Sequence, residues 1–131
     1  MTDKEALFSY RLKQAEETLM DAERMLQGNF SPMSITNRAY YSMFYAVLAL
    51  LLRSDVDIRT SKHVGIIGLF DKEFIQTDKF DRYYSVILHK MFNLRQKSDY
   101  KEFAGVTVKD VSEHVKLAKL FLEHVRPHVD K

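Results

Sequence analysis

One uncharged run in the middle of the chain constrains the fold more than any other feature. The segment AYYSMFYAVLALLL, residues 39–52, places apolar side chains around most of the circumference of a helix. It is shorter than the roughly 20 apolar residues that a membrane-spanning helix needs. We therefore expect a helix from about Pro32 to Arg53 at the centre of a helical bundle, begun by Ser31 as N-cap, and we expect no association with a membrane.

Apolar residues recur at helical spacing through the rest of the chain and predict four further helices. The first helix has one apolar face: Phe8, Leu12, Ala15, Leu19, Ala22 and Leu26. Gly28 follows that face and is a typical helix stop. Shorter helices are predicted over about 62–74 and 79–98. A last helix is predicted over about 108–125, with Pro127 as the mark of its end.

The composition supports an all-α fold. Among 131 residues there are only 4 glycines and 2 prolines, which favours long helices over many short strands. A chain of this length with 46% hydrophobic residues can bury a core without disulfides or metals. The sequence therefore predicts a single domain, residues 1–131, built as an antiparallel, up-and-down helical bundle of four to five helices.

Charge and cysteine content exclude several classes of function. The chain has no cysteine, so it has no disulfide framework, no thiolate metal site and no Cys nucleophile. A net charge of +2 allows a nucleic-acid partner without requiring one. The segment MTDKEALFSYRLKQ has charges where a signal peptide needs an apolar core, and we expect a cytoplasmic protein.

The five histidines are the obvious metal candidates, and none of them forms a metal motif. His124 and His128 have the i,i+4 spacing that can bind zinc on a helix, but Pro127 is expected to break the helix and leave a solvated C-terminus. His89 and His114 have polar neighbours in the sequence, so surface positions are expected for both. We predict no metal site and no cofactor.

The third predicted helix contains His63, Gly65 and Gly68. The glycines cost helix stability, and we expect them to allow close approach of a neighbouring helix. The stretch GIIG lacks the lysine and the preceding strand of a phosphate loop. For His63 we expect a capping or packing role, with a catalytic role as the alternative.

The central helix opens with a polar pair, Asn37 and Arg38, and Arg38 lies one turn before Tyr41. Its aromatic residues are expected to pack in the core, although such rings can also stack on bases. A polar pair that leads into an apolar helix predicts a partner elsewhere in the fold. Arg95 is that predicted partner, because it continues the apolar stripe of the fourth helix and its stem should lie against the core.

The fourth helix ends in FNLRQKSDY, residues 92–100, where Arg95 and Asp99 are four residues apart. As a surface ion pair they would contribute only about 0.3–0.5 kcal/mol. The acid also follows the base and lies near the helix C-terminus, where it opposes the helix dipole. Local helix energetics therefore do not explain this segment, and we interpret it as a polar site.

Three segments together resemble the HEPN domain superfamily. They are NRAYYSMFYA (37–46), SKHVGIIGLFDKEFIQTDKFD (61–81) and FNLRQKSDY (92–100), and they follow the family's order over nearly the whole chain. The resemblance is to small stand-alone prokaryotic members with an R–x–x–x–D–Y helix end. It implies a helical bundle that pairs as a homodimer. It also implies a toxin–antitoxin or defence module with a minimal nucleotidyltransferase (MNT) as partner, and RNA or nucleotide as ligand.

In the ribonuclease members of this family, an arginine and a histidine shortly after it form a metal-independent RNA-cleaving site across the dimer. Arg95 matches the arginine, and Tyr100 stands at the place of the histidine. Tyrosine ordinarily has a pKa of about 10 and is a poor general base at neutral pH. The resemblance therefore implies a site at Arg95, Asp99 and Tyr100 but leaves RNA cleavage open. The further residues that we assign to RNA or nucleotide binding are Asn37, Arg38, Tyr41 and His63.

Two other functions are compatible with the sequence. One is a non-catalytic interaction module that holds a nucleotidyltransferase partner or its nucleotide substrate. In that case the polar cluster around Arg95 ties the second and fourth helices together. The other is a bundle of unrelated purpose, in which Arg95 and Asp99 only end a helix.

Overall fold

The computed structural model describes residues 1–97 and 105–130, and over these ranges the chain is all-helical. The helices are α1 (Asp3–Gln27), α2 (Pro32–Arg53), α3 (His63–Phe70), α4 (Arg82–Gln96) and α5 (Val108–Val129). A π-helical turn, Asp71–Ile75, continues α3. Over the same ranges, none of the helices combines the length and the apolar character that crossing a bilayer requires.

The helices form the predicted antiparallel bundle with α2 at its centre. The connection between α1 and α2 is short, so these two helices run antiparallel. Tyr41, in the first half of α2, meets Arg95 at the end of α4, which makes α4 antiparallel to α2. Thr36 near the start of α2 meets His114 near the start of α5, and Leu50 and His128 near their ends line one cavity, so α5 runs alongside α2 in the same direction.

The core confirms that α2 is the central helix, because its buried residues cover more than half of its circumference. They include Tyr40, Met43 and Leu50, each without solvent exposure. Part of the core is aromatic. Phe70 at the end of α3 packs against Phe121 of α5, with ring centroids 5.7 Å apart. This contact joins α3 to α5.

Capping residues explain where the helices begin. The Ser31 hydroxyl accepts from the Ser34 N–H at 3.3 Å, and Pro32 follows at the first helical position, as the sequence predicted. Asp81 accepts from the Tyr83 N–H at 2.8 Å and starts α4 three residues later than predicted. Thr107 and the third helical residue of α5 form a reciprocal capping box.

The predicted end of the last helix is wrong. Helix α5 continues through Pro127 to Val129. Proline loses its own backbone hydrogen bond, and its ring crowds the carbonyl of Glu123, but in the last turn few further hydrogen bonds depend on this distortion. Burial of Val129 and the 2.9 Å bond from the Asp130 N–H to the Arg126 carbonyl hold the final turn in place.

The predicted role of the two glycines of α3 is also wrong. A Cβ at Gly65 would lie 2.5 Å from Cγ2 of Thr60, so the close approach is to the preceding loop and not to a helix. A Cβ at Gly68 would meet no atom of the described residues within 4 Å. The loop before α3 folds back over the start of the helix, a path that helical periodicity does not encode.

Candidate functional site

Tyr41 stands at the centre of the candidate site. Nη2 of Arg95, in the last turn of α4, donates a hydrogen bond to the Tyr41 hydroxyl oxygen at 2.8 Å. The Arg95 guanidinium carbon is 5.4 Å from the centroid of the Tyr41 ring. The guanidinium carbon of Arg38, one turn earlier on α2, is 5.2 Å from the same centroid. Two positive charges from two helices therefore converge on one half-buried tyrosine.

Local helix geometry brings these side chains together. Arg38 and Tyr41 are three residues apart and share one face of α2. Arg95 lies in the last turn of α4, where a cation interacts favourably with the helix dipole. The side-chain oxygen of Asn37 accepts from Nη2 of Arg38 at 3.2 Å and orients that guanidinium.

Neither guanidinium has a carboxylate partner within ion-pair distance among residues 1–97 and 105–130. The arginines that do pair with acids there lie elsewhere, as in Arg59 with Asp57 and Arg126 with Glu16. Besides Tyr41, the described partner of Arg95 is the adjacent Gln96, at 3.4 Å. Two like charges held close together repel each other, and a bound anion relieves that repulsion.

His63, the first residue of α3, borders this pair of arginines. Its Nδ1 lies 2.7 Å from the hydroxyl of Tyr40, which is fully buried. The imidazole stacks on the ring of Phe44, with centroids 3.9 Å apart and planes 9° apart. It also meets Tyr41 in a T-shaped contact, with centroids 5.6 Å apart. His63 therefore touches the same tyrosine on which both guanidiniums converge.

The surroundings keep His63 and Tyr40 neutral at pH 7. Burial lowers the pKa of His63, and the positive charge of Arg95 lowers it further. Burial raises the pKa of Tyr40 above its ordinary value, and this effect outweighs the opposing effect of Arg95. Of the site residues that the structure describes, Arg38 and Arg95 therefore carry the charge.

The structure brings together all of the residues that the sequence assigned to ligand binding: Asn37, Arg38, Tyr41, His63 and Arg95. Asp99 and Tyr100, the other two predicted site residues, lie outside the described residues. Sequence reasoning missed Tyr40 and Phe44 as parts of the site and treated them as core. Their i,i+4 spacing was a signal that both lie on one face of α2, the face that holds His63.

Two of the remaining histidines occupy different surroundings on the bundle. The surface position predicted for His114 is wrong, because it is 5% exposed and its Nδ1 lies 3.0 Å from the Thr36 hydroxyl. It falls on the core-facing stripe of α5 between Val111 and Val115, a position that outweighs its polar neighbours. His89 is exposed as predicted, and its Nε2 lies 2.7 Å from Oδ2 of Asp71.

The solvated end predicted for His124 and His128 is also wrong. His124 stacks on Tyr84, with ring centroids 3.9 Å apart, and His128 lies 4.8 Å from the centroid of Phe80. The unbroken α5 holds both rings against the start of α4. Within the described part of the chain, no group of three or more His, Cys, Asp or Glu residues could hold a metal ion.

The helical bundle and the sequence together define the class of protein. The chain belongs to the HEPN domain family, whose model matches residues 8–128. A UPF0332 protein of Thermotoga maritima is 32% identical over 130 residues, which cover 99% of this chain and 96% of that protein.

Two relatives from Methanocaldococcus jannaschii carry names that mention a function. "Putative toxin MJ0142" is 29% identical over 118 residues, 90% of this chain and 78% of that protein. "Putative toxin MJ0605" is 29% identical over 112 residues, 86% of this chain and 81% of that protein. This chain is thus a HEPN domain protein of a family with toxin-like relatives.

Proposed function

We propose that this chain is the toxin-like HEPN component of a HEPN/MNT toxin–antitoxin or defence module and binds the phosphates of RNA or a nucleotide between α2 and α4. The observation that carries the proposal is the convergence of Arg38 and Arg95 on Tyr41, with no carboxylate partner among the described residues. The family and its relatives named as toxins support the toxin-like class. RNA as ligand agrees with the expected cytoplasmic location.

The chemistry of the three side chains suits a phosphate group. Guanidinium groups bind phosphate oxygens through paired, charge-assisted N–H donors. The Tyr41 hydroxyl accepts from Arg95, and no acceptor for its own proton lies among the described residues, so that proton can go to a ligand oxygen. Tyr45, half-buried and one turn further along α2, has its ring 5.8 Å from that of Tyr41 and offers a face for a base.

RNA cleavage is the further step of this proposal. Arg95 would stabilise the negative charge that grows on the phosphate in the transition state, as preorganised donors do in other phosphate sites. A homodimer would let a second copy complete the site, and an MNT-type nucleotidyltransferase would serve as the antitoxin. Cleavage that persists in excess EDTA would support a metal-independent reaction.

Binding of a labelled single-stranded RNA, followed by fluorescence anisotropy, tests the proposal. Arg95→Ala and Arg38→Ala each remove a charge-assisted contact worth about 1.5–3 kcal/mol, which weakens binding roughly 10- to 150-fold. Arg53→Ala is the matched control. This arginine is also on α2, and its guanidinium carbon is 5.5 Å from the ring of Phe8, in a contact remote from Tyr41.

The control should bind RNA like the wild type. Equal affinity of all four proteins would refute a phosphate site at Tyr41. Incubation of RNA with the wild type and with Arg95→Ala then decides between binding and cleavage. A wild type that binds but leaves RNA intact would refute only the ribonuclease step.

One observation favours a second candidate function, the non-catalytic interaction module. The bond from Arg95 to Tyr41 joins α4 to α2, so the same pair can act as a structural tie. In that case Arg95→Ala lowers the melting temperature by several degrees and leaves RNA affinity unchanged. An unchanged melting temperature would count against this alternative.

A further inference from the structure

We propose that Tyr40 fixes His63 in the tautomer that carries its proton on Nε2, so that His63 is a neutral hydrogen-bond donor to a ligand phosphate oxygen and not the general base of the site. The assignment of a phosphate as the ligand of His63 rests on the proposed function. The tautomer rests only on the contact between the two side chains.

The direction of the bond between Tyr40 and His63 follows from burial. The Tyr40 hydroxyl is fully buried, and its acceptor among the described residues is Nδ1 of His63, at 2.7 Å. If Nδ1 carried the proton, it would donate to the tyrosine oxygen and leave the buried O–H without an acceptor. A buried donor without a partner is destabilising. Tyr40 therefore donates, Nδ1 accepts, and the proton of the neutral imidazole is on Nε2.

The charged groups around His63 favour the same state. Arg95 approaches from α4, while α2 contributes Tyr40, Tyr41 and Phe44, none of which carries a negative charge at pH 7. An imidazolium here would be partly desolvated beside a guanidinium. Protonation of Nδ1 would also remove the acceptor for the Tyr40 hydroxyl proton. The pKa of His63 is lowered by burial and by Arg95, which agrees with a ring that stays neutral.

The position of the ring makes its Nε2–H available to a ligand. Tyr40 occupies Nδ1 and Phe44 covers one face, so Nε2 is on the side of the ring away from Tyr40. His63 is half-buried, and no acceptor for Nε2 lies among the described residues. The ring also meets Tyr41, on which Arg38 and Arg95 converge. A phosphate held by the two arginines would therefore find a third donor that adds no charge.

The tautomer has a consequence for catalysis. A ring whose Nε2 is protonated and whose Nδ1 is occupied cannot take the proton of a ribose hydroxyl. If the protein cleaves RNA, another group must act as the base. His63 is then a binding residue that selects anionic oxygen ligands.

Nitrogen-15 NMR of the imidazole tests the tautomer without any ligand. In the wild type we expect nitrogen-15 chemical shifts that show an unprotonated Nδ1 and a protonated Nε2 in His63. Tyr40→Phe removes the donor with little change of shape, and we expect a mixture of tautomers in that variant. A protonated Nδ1 in the wild type, or an unchanged spectrum in Tyr40→Phe, would overturn the assignment.

Substitutions of His63 test its role as a donor. The side-chain amide of His63→Gln places an N–H near the position of Nε2 but cannot titrate or act as a base. We expect His63→Gln to bind RNA within about twofold of the wild type and His63→Ala to bind roughly five- to tenfold more weakly. Equal loss in both variants would contradict a donor role.

The cleavage assay separates a donor from a base. If the wild type cleaves RNA, His63→Gln should still cleave it. Retained binding with abolished cleavage would show that His63 transfers a proton in the reaction and would overturn the inference. If the wild type binds no RNA, the proposed function and the ligand role of His63 both fail, while the NMR result still decides the tautomer.

Discussion

Two histidines are held by hydroxyl groups one turn apart on α2, and they have very different surroundings. Thr36 lies 3.0 Å from Nδ1 of His114 on α5, and Tyr40 lies 2.7 Å from Nδ1 of His63 on α3. His114 is almost fully buried, whereas His63 is half-buried at the edge of the bundle. Each bond joins α2 to a neighbouring helix, so the bond alone does not mark a functional site.

The charges around the two rings differ. Burial lowers the pKa of both histidines, so a lowered pKa does not distinguish them. Around His114 the cation Lys90 is balanced by the acids Asp110 and Glu113. Around His63 the charge comes from Arg95. In the part of the chain that the structure describes, access to solvent and a positive charge without a balancing acid therefore separate a candidate binding site from a structural contact.

The largest expected effect comes from truncating the two histidines. His114→Ala removes a buried side chain and leaves the Thr36 hydroxyl without its partner, which should lower the free energy of unfolding by about 2–4 kcal/mol. His63→Ala should lower it by about 1–2 kcal/mol because this ring is half exposed. Urea denaturation measures both values.

RNA affinity should show the opposite order, with a loss in His63→Ala and none in a folded His114→Ala protein. Affinity is measured well below the urea midpoint of each variant. Equal destabilisation by the two substitutions would show that His63 is as structural as His114. The contrast between the two rings would then disappear.

The next largest effect is expected in the pH dependence of stability and should come from His114. Its pKa in the folded protein is below the ordinary value of 6.5, mainly through burial, so the unfolded chain binds more protons at acidic pH. The stabilising effect of the neutral ring is complete above pH 6.5 and is lost as the pH falls below 6.5. His63 and His124 have shifts of the same direction.

His114→Asn should flatten this dependence, since its side-chain oxygen can replace Nδ1 as acceptor and cannot titrate. Urea midpoints at about pH 7.5 and about pH 5.5 compare it with the wild type. A wild type that is equally stable at both values would contradict the prediction. A variant with the wild-type slope would assign the effect to the other histidines.

Much of the fold could be predicted because helical periodicity records which side of each helix is buried. The run over residues 39–52 identified the central helix, and the apolar stripe of α4 placed Arg95 against the core, where it reaches Tyr41. Arg38 and Tyr41 followed from their spacing on one helix. These contacts lie within a single helix, or they join two helices whose apolar stripes must both face the same core.

The other relations depend on how separate segments meet. The bond between Tyr40 and His63 spans 23 residues and depends on the path of the loop before α3, which has no periodicity. The burial of His114 was missed because its neighbours along the chain are polar, although its stripe on α5 is apolar. Pro127 was misread as a helix end because the packing of the buried Val129 outweighs the lost hydrogen bond and the crowding by the proline ring in the final turn.

A smaller effect is expected from Tyr41→Phe, which keeps the ring between the two arginines and removes the hydroxyl. The loss of one hydrogen bond from Arg95 should lower the free energy of unfolding by about 0.5–1.5 kcal/mol. The free energy of RNA binding should weaken by a similar amount, since the hydroxyl both orients Arg95 and donates to the ligand. Thermal unfolding and anisotropy measure the two effects. Unchanged RNA affinity would show that the ring alone organises the arginines.

The smallest effect is expected from Arg126→Ala on α5. Nε of Arg126 lies 3.1 Å from Oε1 of Glu16, and the side chains are 42% and 39% exposed. An exposed pair of this kind contributes about 0–1 kcal/mol. This arginine already has an anion as partner, which Arg38 and Arg95 do not have among residues 1–97 and 105–130, so removing it should leave RNA affinity unchanged.

The comparison with Arg95→Ala separates a local site from general charge. Both substitutions reduce the net charge of +2 by one, so an RNA that is held by overall positive charge would be weakened equally by either. If only Arg95→Ala weakens binding, the position of the guanidinium beside Tyr41 decides the affinity. Equal loss in both variants would show that the overall positive charge of the surface holds the RNA. The difference between His63 and His114 would then concern stability alone.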